Sequence, residues 1–312
     1  FTVAVVQNDD SFIARQATTP IPVDHQSDSY YTFPSGTWNR IDMGPRGSST
    51  ESRGSGWSES TGSYSCSREA VHKDVDWGDA ANADPQVDPD KDAVEWLSNQ
   101  VKLRAEQKWG SAFFTTSVWT TDVTGVASGP TAGQVLQWDA ATADPQAQIQ
   151  TYQATLMGLI GKEANCFVAG QDLHRSLMSN AVFRESVKYV AMTDVVTMRA
   201  KCAAFLGVEK YFVAGGFHNS AIEGQTATIA QILDADDGWL GYVDPAPSMK
   251  SLSAFHIFAW KGGGKYGSSS EGIVARSFDF PQRTTTRYES ELFWDMKVIS
   301  ADAGVFFDEL TG

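Results

Sequence analysis

An apolar stripe with helical spacing predicts a long helix over about residues 88–109. Asp88 can cap its first turn, Pro89 suits the first helical position, and Gly110 follows as a stop signal. Apolar residues recur at spacings of three and four, the period of one helix face: Val94, Leu97, Val101 and Ala105. At 1.5 Å per residue, such a helix is roughly 30 Å long.

Helices and strands then alternate, which predicts a mixed α/β subdomain over about residues 141–248. One helix, 145–160, follows the capping residue Asp144, and a third clear helix spans 194–207. The apolar face of the helix at 145–160 is made by Ile149, Tyr152, Leu156 and Ile160. Short strands are predicted at 166–169 and 210–214. Weaker patterns predict helices at 173–178 and 182–189.

The last part of the chain favours strands. A break at residues 244–247, with the sequence Asp-Pro-Ala-Pro, separates it from the α/β part. Runs rich in β-branched and aromatic residues predict strands at 254–260, 273–280, 285–292 and 296–300. A similar run directly after the long helix predicts one more strand at 113–119.

The opening residues, 1–77, do not have the apolar pattern of an independent domain. Between Gly44 and Ser67, 14 of 24 residues are Gly or Ser, which on composition alone fits a flexible linker or tail. Two flanking clusters instead predict the strands of a long hairpin: Tyr30, Tyr31, Phe33 and Trp38, then Val71, Val75 and Trp77. Because such a hairpin is marginal alone in water, we expect this quarter to be ordered only by lying on a neighbouring copy.

The charge balance narrows the function. With 24 basic and 38 acidic residues, the formal net charge is −14, which repels nucleic acid at long range. This disfavours a conventional DNA- or RNA-binding domain but allows a container whose wall does not stick to packaged DNA. No apolar run approaches the ~18 residues that span a bilayer, and no secretion leader is expected. The chain begins with Phe1 rather than Met, so proteolytic maturation is a hypothesis.

The cysteines and tryptophans indicate packing rather than chemistry. Cys66, Cys166 and Cys202 are far apart and form no Cys-x-x-Cys pair, so we expect three buried free thiols. The ten tryptophans are spread along the chain, which favours core or interface packing over a sugar-binding face.

Motifs for catalysis or for binding metals and cofactors are absent from the sequence. The run at 261–266 is only superficially like a phosphate loop, because Ala259 and Tyr266 stand where Gly and Ser or Thr are needed. His72, Asp74 and Asp76 could suggest a metal site, but they alternate along a probable strand and are better explained as its solvated face. Asp234, Asp236 and Asp237 could suggest a calcium loop, but the last ligand of such a loop is missing. We therefore predict no catalytic, cofactor-binding or metal-binding residues, and a protein that is not an enzyme.

Several stretches, in their order, resemble the Hong Kong 97-type major capsid protein of tailed bacteriophages. A polar arm, a long hairpin, a capped long helix, an α/β subdomain and returning strands follow one another as in that family. The stretches that carry the likeness are 19–25 running into 30–34, 114–120, 205–213 with 219–221 and 223–224, 242–247, and 255–260. Each is modestly specific alone, and together they cover most of the chain.

The resemblance implies an α+β fold and a division of the chain into named parts. These are an N-terminal arm, an extended loop (E-loop), a peripheral domain with the long helix as its spine at about 88–109, and an axial domain. Their boundaries would be 1–27 for the arm, 28–77 for the E-loop, 78–140 with 251–312 for the peripheral domain, and 141–250 for the axial domain.

The resemblance also implies a structural function in the virion. Copies would form hexamers and pentamers that close an icosahedral or prolate head around double-stranded DNA, without sequence-specific binding. Portal, scaffolding and cement proteins would be further partners, no membrane would be involved, and the chain would be made in the bacterial cytoplasm. The nearest alternative is an encapsulin-like nanocompartment shell. A more remote alternative is an α/β hydrolase, which predicts a compact monomer.

One departure from the family gives a testable prediction. The type member cross-links its subunits through a Lys of the E-loop, whereas Lys73 is the first Lys here, and the loop offers only Arg40, Arg46 and Arg53 as cations. We expect a shell held without covalent bonds, so boiled particles should run as a single monomer band on a denaturing gel. A ladder of boiling-resistant multimers would contradict this.

Overall fold

The computed structural model describes residues 7–32, 40–56, 58–84, 87–188, 195–262 and 269–312. Within these ranges the chain forms six α-helices: α1 (Trp77–Ala81), α2 (Pro89–Phe113), α3 (Pro145–Ile160), α4 (Gln171–Ser179), α5 (Ala181–Val187) and α6 (Val195–Leu206). The strands of the first half are β1 (Ile21–Val23), β2 (Ser27–Thr32), β3 (Ser60–Ser65), β4 (Ser67–Asp76), β5 (Thr121–Val126) and β6 (Gln134–Leu136). Those of the second half are β7 (Cys166–Ala169), β8 (Lys210–Val213), β9 (Phe217–Asn219), β10 (Ile229–Gln231), β11 (Gly238–Gly241), β12 (Phe255–Trp260), β13 (Ile273–Phe280), β14 (Thr285–Val298) and β15 (Gly304–Asp308).

A five-stranded sheet is built around the long strand β14. One edge of β14 pairs with β4, from Thr285 opposite Asp76 to Trp294 opposite Ser67. The other edge pairs first with β13 and then with β12, all antiparallel, and β1 adds to β12 in parallel. The sequence predicts two strands here, at 285–292 and 296–300, and this is wrong because Phe293 and Trp294 continue the ladder between them.

A six-stranded sheet has the order β6-β5-β15-β11-β7-β8. Strand β11 is antiparallel to both of its neighbours, while β5, β6 and β15 run parallel to one another, as do β7 and β8. Three of these strands come from outside residues 141–250, so the α/β part takes more of the chain than the sequence indicates. The predicted strand at 113–119 is also wrong, because Phe113 ends α2 and the strand begins at Thr121.

Helix α2 confirms the predicted long helix and corrects its details. Asp88 accepts a hydrogen bond from the Lys91 backbone N–H at 3.2 Å, as expected of a cap. The buried stripe repeats every four residues from Ala93, not Val94, which is 49% exposed. Gly110 does not stop the helix. It lies inside α2, where a Cβ would stand 2.7 Å from Cδ2 of Leu233, so the glycine permits close packing.

The helices of the α/β part follow the sequence closely. Asp144 caps α3 by accepting from the Ala147 N–H at 3.1 Å, and Gly161 ends it in the left-handed conformation with φ of 70°. Its buried residues include Ile149, Leu156 and Ile160. The predicted start of α6 at Asp194 lies outside the described residues, as does Tyr189.

The hydrophobic core has three clusters. One lies between α2 and both sheets, where Phe113 stacks on Phe255 at 4.4 Å between ring centroids. A second fills the space between the six-stranded sheet and helices α3 to α6. As the sequence predicts, several tryptophans are buried in the interior: Trp109, Trp119, Trp138, Trp239 and Trp294.

The third cluster joins the β2–β3 hairpin to β12. Tyr64 is 2% exposed and stacks on Phe258 with 4.6 Å between ring centroids, and Tyr30 tilts against the same ring at 5.3 Å. The hairpin predicted between the 30s and the 70s is therefore wrong in its pairing. Strand β2 pairs with β3, inside the Gly/Ser stretch, and Val71 and Val75 belong to β4 on the edge of β14. Phe33 and Trp38 lie outside the described residues.

Most of the described opening segment packs on its own chain, which overturns the expectation that only a neighbour orders it. Ile13, Ala14 and Ala17 are at most 1% exposed and belong to the first core cluster. The anchor is Glu106, a fully buried residue of α2. Its carboxylate oxygens accept hydrogen bonds from the backbone N–H groups of Ile13 and Ala14 at 2.9 and 2.8 Å. Part of this attachment is made by backbone N–H groups. The small number of apolar residues in the opening segment therefore does not reveal it.

The Glu106 anchor predicts a pH dependence of stability. Burial raises the pKa of Glu106 from 4.5 to about 7, although the two N–H groups act to lower it. A carboxyl whose folded-state pKa is raised stabilises the fold below about pH 4.5 and loses that contribution as the pH rises through about 7. Relative to Glu106→Gln, the unchanged protein should lose on the order of 3 kcal/mol of unfolding free energy between about pH 5 and about pH 8.

Urea unfolding of the two proteins at both pH values measures this difference. Asp237, whose pKa burial also raises to about 7, is common to both and cancels in the comparison. Parallel stability–pH curves for the two proteins would show that Glu106 does not titrate in this range.

The third cluster predicts how firmly the hairpin is attached. Tyr64→Ala should lower the free energy of unfolding by about 3 kcal/mol, because it removes a buried ring from the Phe258 contact. Tyr64→Phe should cost at most about 1 kcal/mol, since it removes only a 3.4 Å hydrogen bond to the His25 carbonyl oxygen. Denaturant unfolding checks both, and equal losses for Ala and Phe would contradict the stacking role.

Candidate functional site

The hairpin β2–β3 carries a segment that stands away from the core, residues 40–56, which we call the clasp segment. Ile41 and Met43 in it are 91% and 92% exposed. Among the described residues, every hydrogen bond of the clasp segment closes within it. Arg40 binds Asp42 at 2.7 Å and Ser55 at 3.2 Å, and Arg46 donates to the Thr50 carbonyl oxygen. A segment that is folded on itself and exposes large apolar side chains suits contact with another molecule.

A groove with acidic walls lies at the end of β4, between α1, the start of α2 and the loop before β10. Its volume is about 720 Å³. Trp96, 43% exposed, and Val87, 48% exposed, provide apolar surface. The carboxylates that line this acidic groove are Asp74, Asp76, Asp79, Asp92 and Glu223, with Lys73 as the basic residue.

Two of these carboxylates are bound by groups of the same chain. Arg287 donates to Asp74 at 2.7 and 2.8 Å, and this holds the pKa of that carboxyl below its usual value. Asp76 caps α1 by accepting from the Gly78 N–H at 2.7 Å. His72 is exposed. The three residues that alternate in the sequence therefore have separate roles. His72 and Asp74 lie on the face of β4, and Asp76 caps α1.

Strands β4, β14 and β13 form a ribbon that is held together by charged side chains. Glu291, fully buried on β14, pairs with Arg68 of β4 and Arg276 of β13, one on each side. A buried carboxylate with two guanidinium partners fixes the register of three strands at one point. Towards the end of β13, Phe278 and Phe280 are 41% and 38% exposed. The ribbon is therefore anchored at its base and apolar near its end.

A third projecting element is the β9–β10 hairpin. Its loop exposes Ile222 at 81%, and Ile229 of β10 is 63% exposed. The clasp segment, the ribbon and this hairpin are separate elements, and each exposes large apolar side chains. Single exposed apolar residues are common, but three separate elements that carry them favour contacts with several partners.

The acidic residues before β11 have structural partners. Asp237 is buried and accepts a hydrogen bond from the Glu309 backbone N–H at 3.0 Å, while its neighbour Asp236 accepts from the Leu310 N–H through its backbone oxygen at 3.0 Å. Burial, reinforced by nearby carboxylates, raises the pKa of Asp236 as well. Within the described ranges no group of His, Cys, Asp and Glu side chains is arranged to hold a metal ion.

The cysteines and His174 are further titratable groups that burial separates from solvent. The three cysteines are free and buried, as predicted, and burial raises the pKa of Cys66 to about 11 and those of Cys166 and Cys202 to about 12. His174 lies 2.9 Å from the Tyr211 hydroxyl, and burial lowers its pKa to about 4. Of the phosphate-loop-like run, residues 263–266 lie outside the described ranges. No helix in the described part of the chain is long and apolar enough to cross a membrane.

Comparison with known proteins gives a clear result for the fold. No family model and no curated protein matches the sequence. A phage-related protein from Bordetella bronchiseptica RB50 matches with a TM-score of 0.70 at 17% identity, over 97% of this chain and 94% of that chain. The capsid of Cyanophage P-SCSP1u matches with a TM-score of 0.58 at 10% identity, over 99% and 92%. The encapsulin of Synechococcus elongatus PCC 7942 matches with 0.59 at 12%, over 100% and 93%.

At these identities the likeness concerns the fold, and it spans nearly the whole of each chain. Two further matches are capsids by name, that of bacteriophage PhiM1 and that of a native GTA particle, and three others are named for Mycobacterium phages. The α+β architecture predicted from the sequence is confirmed: the chain has the fold of the Hong Kong 97-type capsid proteins.

Proposed function

We propose that this chain is the major capsid protein of a tailed bacteriophage. Copies of it assemble into hexamers and pentamers and close an icosahedral or prolate head around double-stranded DNA. The observation that carries the proposal is the match to phage capsid structures over almost the full length of both chains. A shared fold across a whole chain, including its projecting parts, favours a shared mode of assembly, by analogy.

The projecting elements support the proposal. A shell subunit needs surface directed at several neighbours, and obligate contacts of this kind are large. The clasp segment, the ribbon and the β9–β10 hairpin supply such surface outside the three core clusters. We propose an arm at 1–27, an E-loop at 28–77, an axial domain around 141–250 whose sheet is completed by β5, β6 and β15, and a peripheral domain formed by the rest.

The charge supports a container rather than a DNA-reading protein. A net charge of −14 keeps the wall from binding the packaged DNA tightly, so that the DNA can be pumped in and released. We propose no catalytic role, no cofactor and no metal. Portal, scaffolding and cement proteins are proposed partners, and synthesis in the host cytoplasm followed by residence in the virion is the proposed localisation. The absence of Lys before Lys73 favours non-covalent assembly.

An encapsulin-like shell is the second candidate, because an encapsulin matches this chain about as well as a phage capsid does. The two functions differ in what the shell encloses, DNA or a cargo protein. The hydrolase alternative has no support from the comparisons, since the fold is similar to that of capsid and encapsulin proteins.

The proposed function predicts that the purified chain forms closed particles. Negative-stain microscopy should show shells, and free subunits should be cut by trypsin in the clasp segment, at the exposed Arg46 and Arg53. Assembly should slow that cleavage by at least about tenfold, because the segment is covered in the shell.

Cleavage at a site away from the clasp segment is the control for general protease access. A protein that stays monomeric at high concentration, with equal cleavage in all fractions, would refute the shell function. Shells that are purified with a bound cargo protein and never with DNA would favour the encapsulin candidate.

A further inference from the structure

We propose that two copies of this chain pair through the outer edges of their β13 strands, antiparallel and about a two-fold axis at Ser277. The contact deepens the proposed function, on which its role in a shell rests, by naming one place where two subunits meet. It joins the sheet of one copy to the sheet of the next through main-chain hydrogen bonds.

One edge of β13 has no partner in this chain. The strand pairs with β14 over its whole length, and in the described part of the chain no strand lies on its other edge. From Ala275 to Phe280, every residue except Arg276 is exposed. Backbone N–H and C=O groups therefore face solvent along most of this edge.

The ladder with β14 decides which backbone groups point outward. Gly272, directly before β13, accepts a hydrogen bond from the Phe293 N–H at 2.8 Å, so its backbone faces β14. Because the hydrogen-bonding direction alternates along an antiparallel strand, the backbone groups of Ala275, Ser277 and Asp279 point to the open edge. None of them is hydrogen-bonded to another described residue.

The open edge lacks the features by which proteins usually prevent strand pairing. Strand β13 has 8 residues, and neither Pro nor Lys is among them. Its ladder with β14 contains no bulge that would turn the edge away. An exposed edge of this length, with the exposed rings of Phe278 and Phe280 beside it, is suited to binding another strand.

The sequence of β13 fits a second β13 in one register. When two copies pair about a two-fold axis perpendicular to the sheet, opposite residues lie on the same face, so the residue at the axis opposes itself. An axis at Arg276 sets two guanidinium groups against each other, and an axis at Asp279 sets two carboxylates against each other. An axis at Ser277 avoids both, and of the remaining positions it gives the longest overlap.

In this register the exposed rings gain partners. Phe278 lies opposite Arg276 of the partner subunit, and the Arg276 guanidinium, which is paired with Glu291, can stack on that ring. Phe280 lies opposite Val274 of the partner subunit, which makes an apolar pair on the same face. The contact thus covers two large apolar side chains that the free subunit exposes.

The contact closes on itself and is weak alone. Because both copies use the same edge, it joins two subunits and no more. One strand edge buries less surface than a stable dimer requires. The pairing therefore depends on the other contacts of a shell, or on a high protein concentration, to hold the two copies close together.

A cysteine on the axis tests the register. In Ser277→Cys the two introduced thiols face each other in a hydrogen-bonded pair, whose Cα atoms are about 5.5 Å apart, a separation that a disulfide spans. Mild oxidation should give covalent dimers without higher multimers, both in assembled particles and in a concentrated solution of free subunits. The three native thiols are buried, so they should not react.

The matched control is Ala275→Cys, because Ala275 is exposed on the same face of the same strand. In this register its two thiols are about 13 Å apart along the strands. Ser277→Cys should therefore give roughly tenfold more disulfide dimer than Ala275→Cys. Equal yields, or a ladder of multimers, would overturn the proposal.

A proline on the edge tests the main-chain hydrogen bonds. Ser277→Pro removes an N–H that the chain's own sheet does not use, so the subunit should fold, whereas a second strand can no longer pair there. This variant should need roughly tenfold more protein to form particles. Ser277→Ala keeps the N–H and should assemble like the unchanged chain. Normal assembly of Ser277→Pro would contradict the pairing.

The outcomes separate this contact from the function beneath it. If the unchanged chain forms particles but Ser277→Cys links no better than its control, the edge pairing is wrong and the shell function stands. If no particles form while Ser277→Cys links in concentrated solution, the pairing stands and the shell function falls.

Two further outcomes are also decisive. Assembly that is blocked by Ser277→Pro, without a disulfide in Ser277→Cys, would mean that a different strand binds this edge, which overturns the proposal. If the proline variant does not fold, as seen by circular dichroism, the yield of the Ser277→Cys disulfide decides alone.

Discussion

The continuous ladder on β14 is the constraint on which the rest of the molecule depends. Strand β4 occupies one edge of this 14-residue strand, and β13 followed by β12 occupies the other. At 3.3 Å per residue the strand is roughly 45 Å long, too long to be buried in one core. Its end near Val298 packs on the first core cluster, while its half-buried beginning lies beside α1, where the Trp77 indole N–H donates to the Thr286 hydroxyl at 2.9 Å. The same strand therefore contributes to the interior and to the surface.

Buried carboxylates hold the segments that apolar packing alone does not fix. Glu291 is fully buried between Arg68 and Arg276, near the start of the buried part of β14. Such a triad adds little net stability compared with apolar residues of the same size, but it penalises any slip of the three strands, since a slip would leave a buried carboxylate unpaired. Glu106 works in the same way on the other side of α2, where it binds backbone N–H groups instead of arginines. Polar anchors thus fix the parts that carry few apolar side chains.

The sequence predicts elements whose signals are local. Asp88 before Pro89 and Asp144 before Pro145 locate two helix starts, and Gly161 locates an end, because caps act within one turn. It cannot predict partners that come from afar: β15 entering the six-stranded sheet, β2 pairing with β3, or Glu106 holding Ile13. The sequence wrongly predicts a helix end at Gly110 for this reason, since the neighbour that requires a glycine is Leu233. The acidic groove is likewise assembled from distant segments, and only its Asp-rich composition is visible in the chain.

The position of β15 has a consequence for synthesis on the ribosome. This strand follows all of its sheet partners in the sequence, yet it lies between β5 and β11 near the middle of the six-stranded sheet. A nascent polypeptide lacks it until residues 304–308 have been made, so its sheet stays split into β6–β5 on one side and β11–β7–β8 on the other. Products truncated before residue 304 would then lack the strand that unites the sheet and could not complete a subunit. Translation itself would act as a check on which molecules are able to join others.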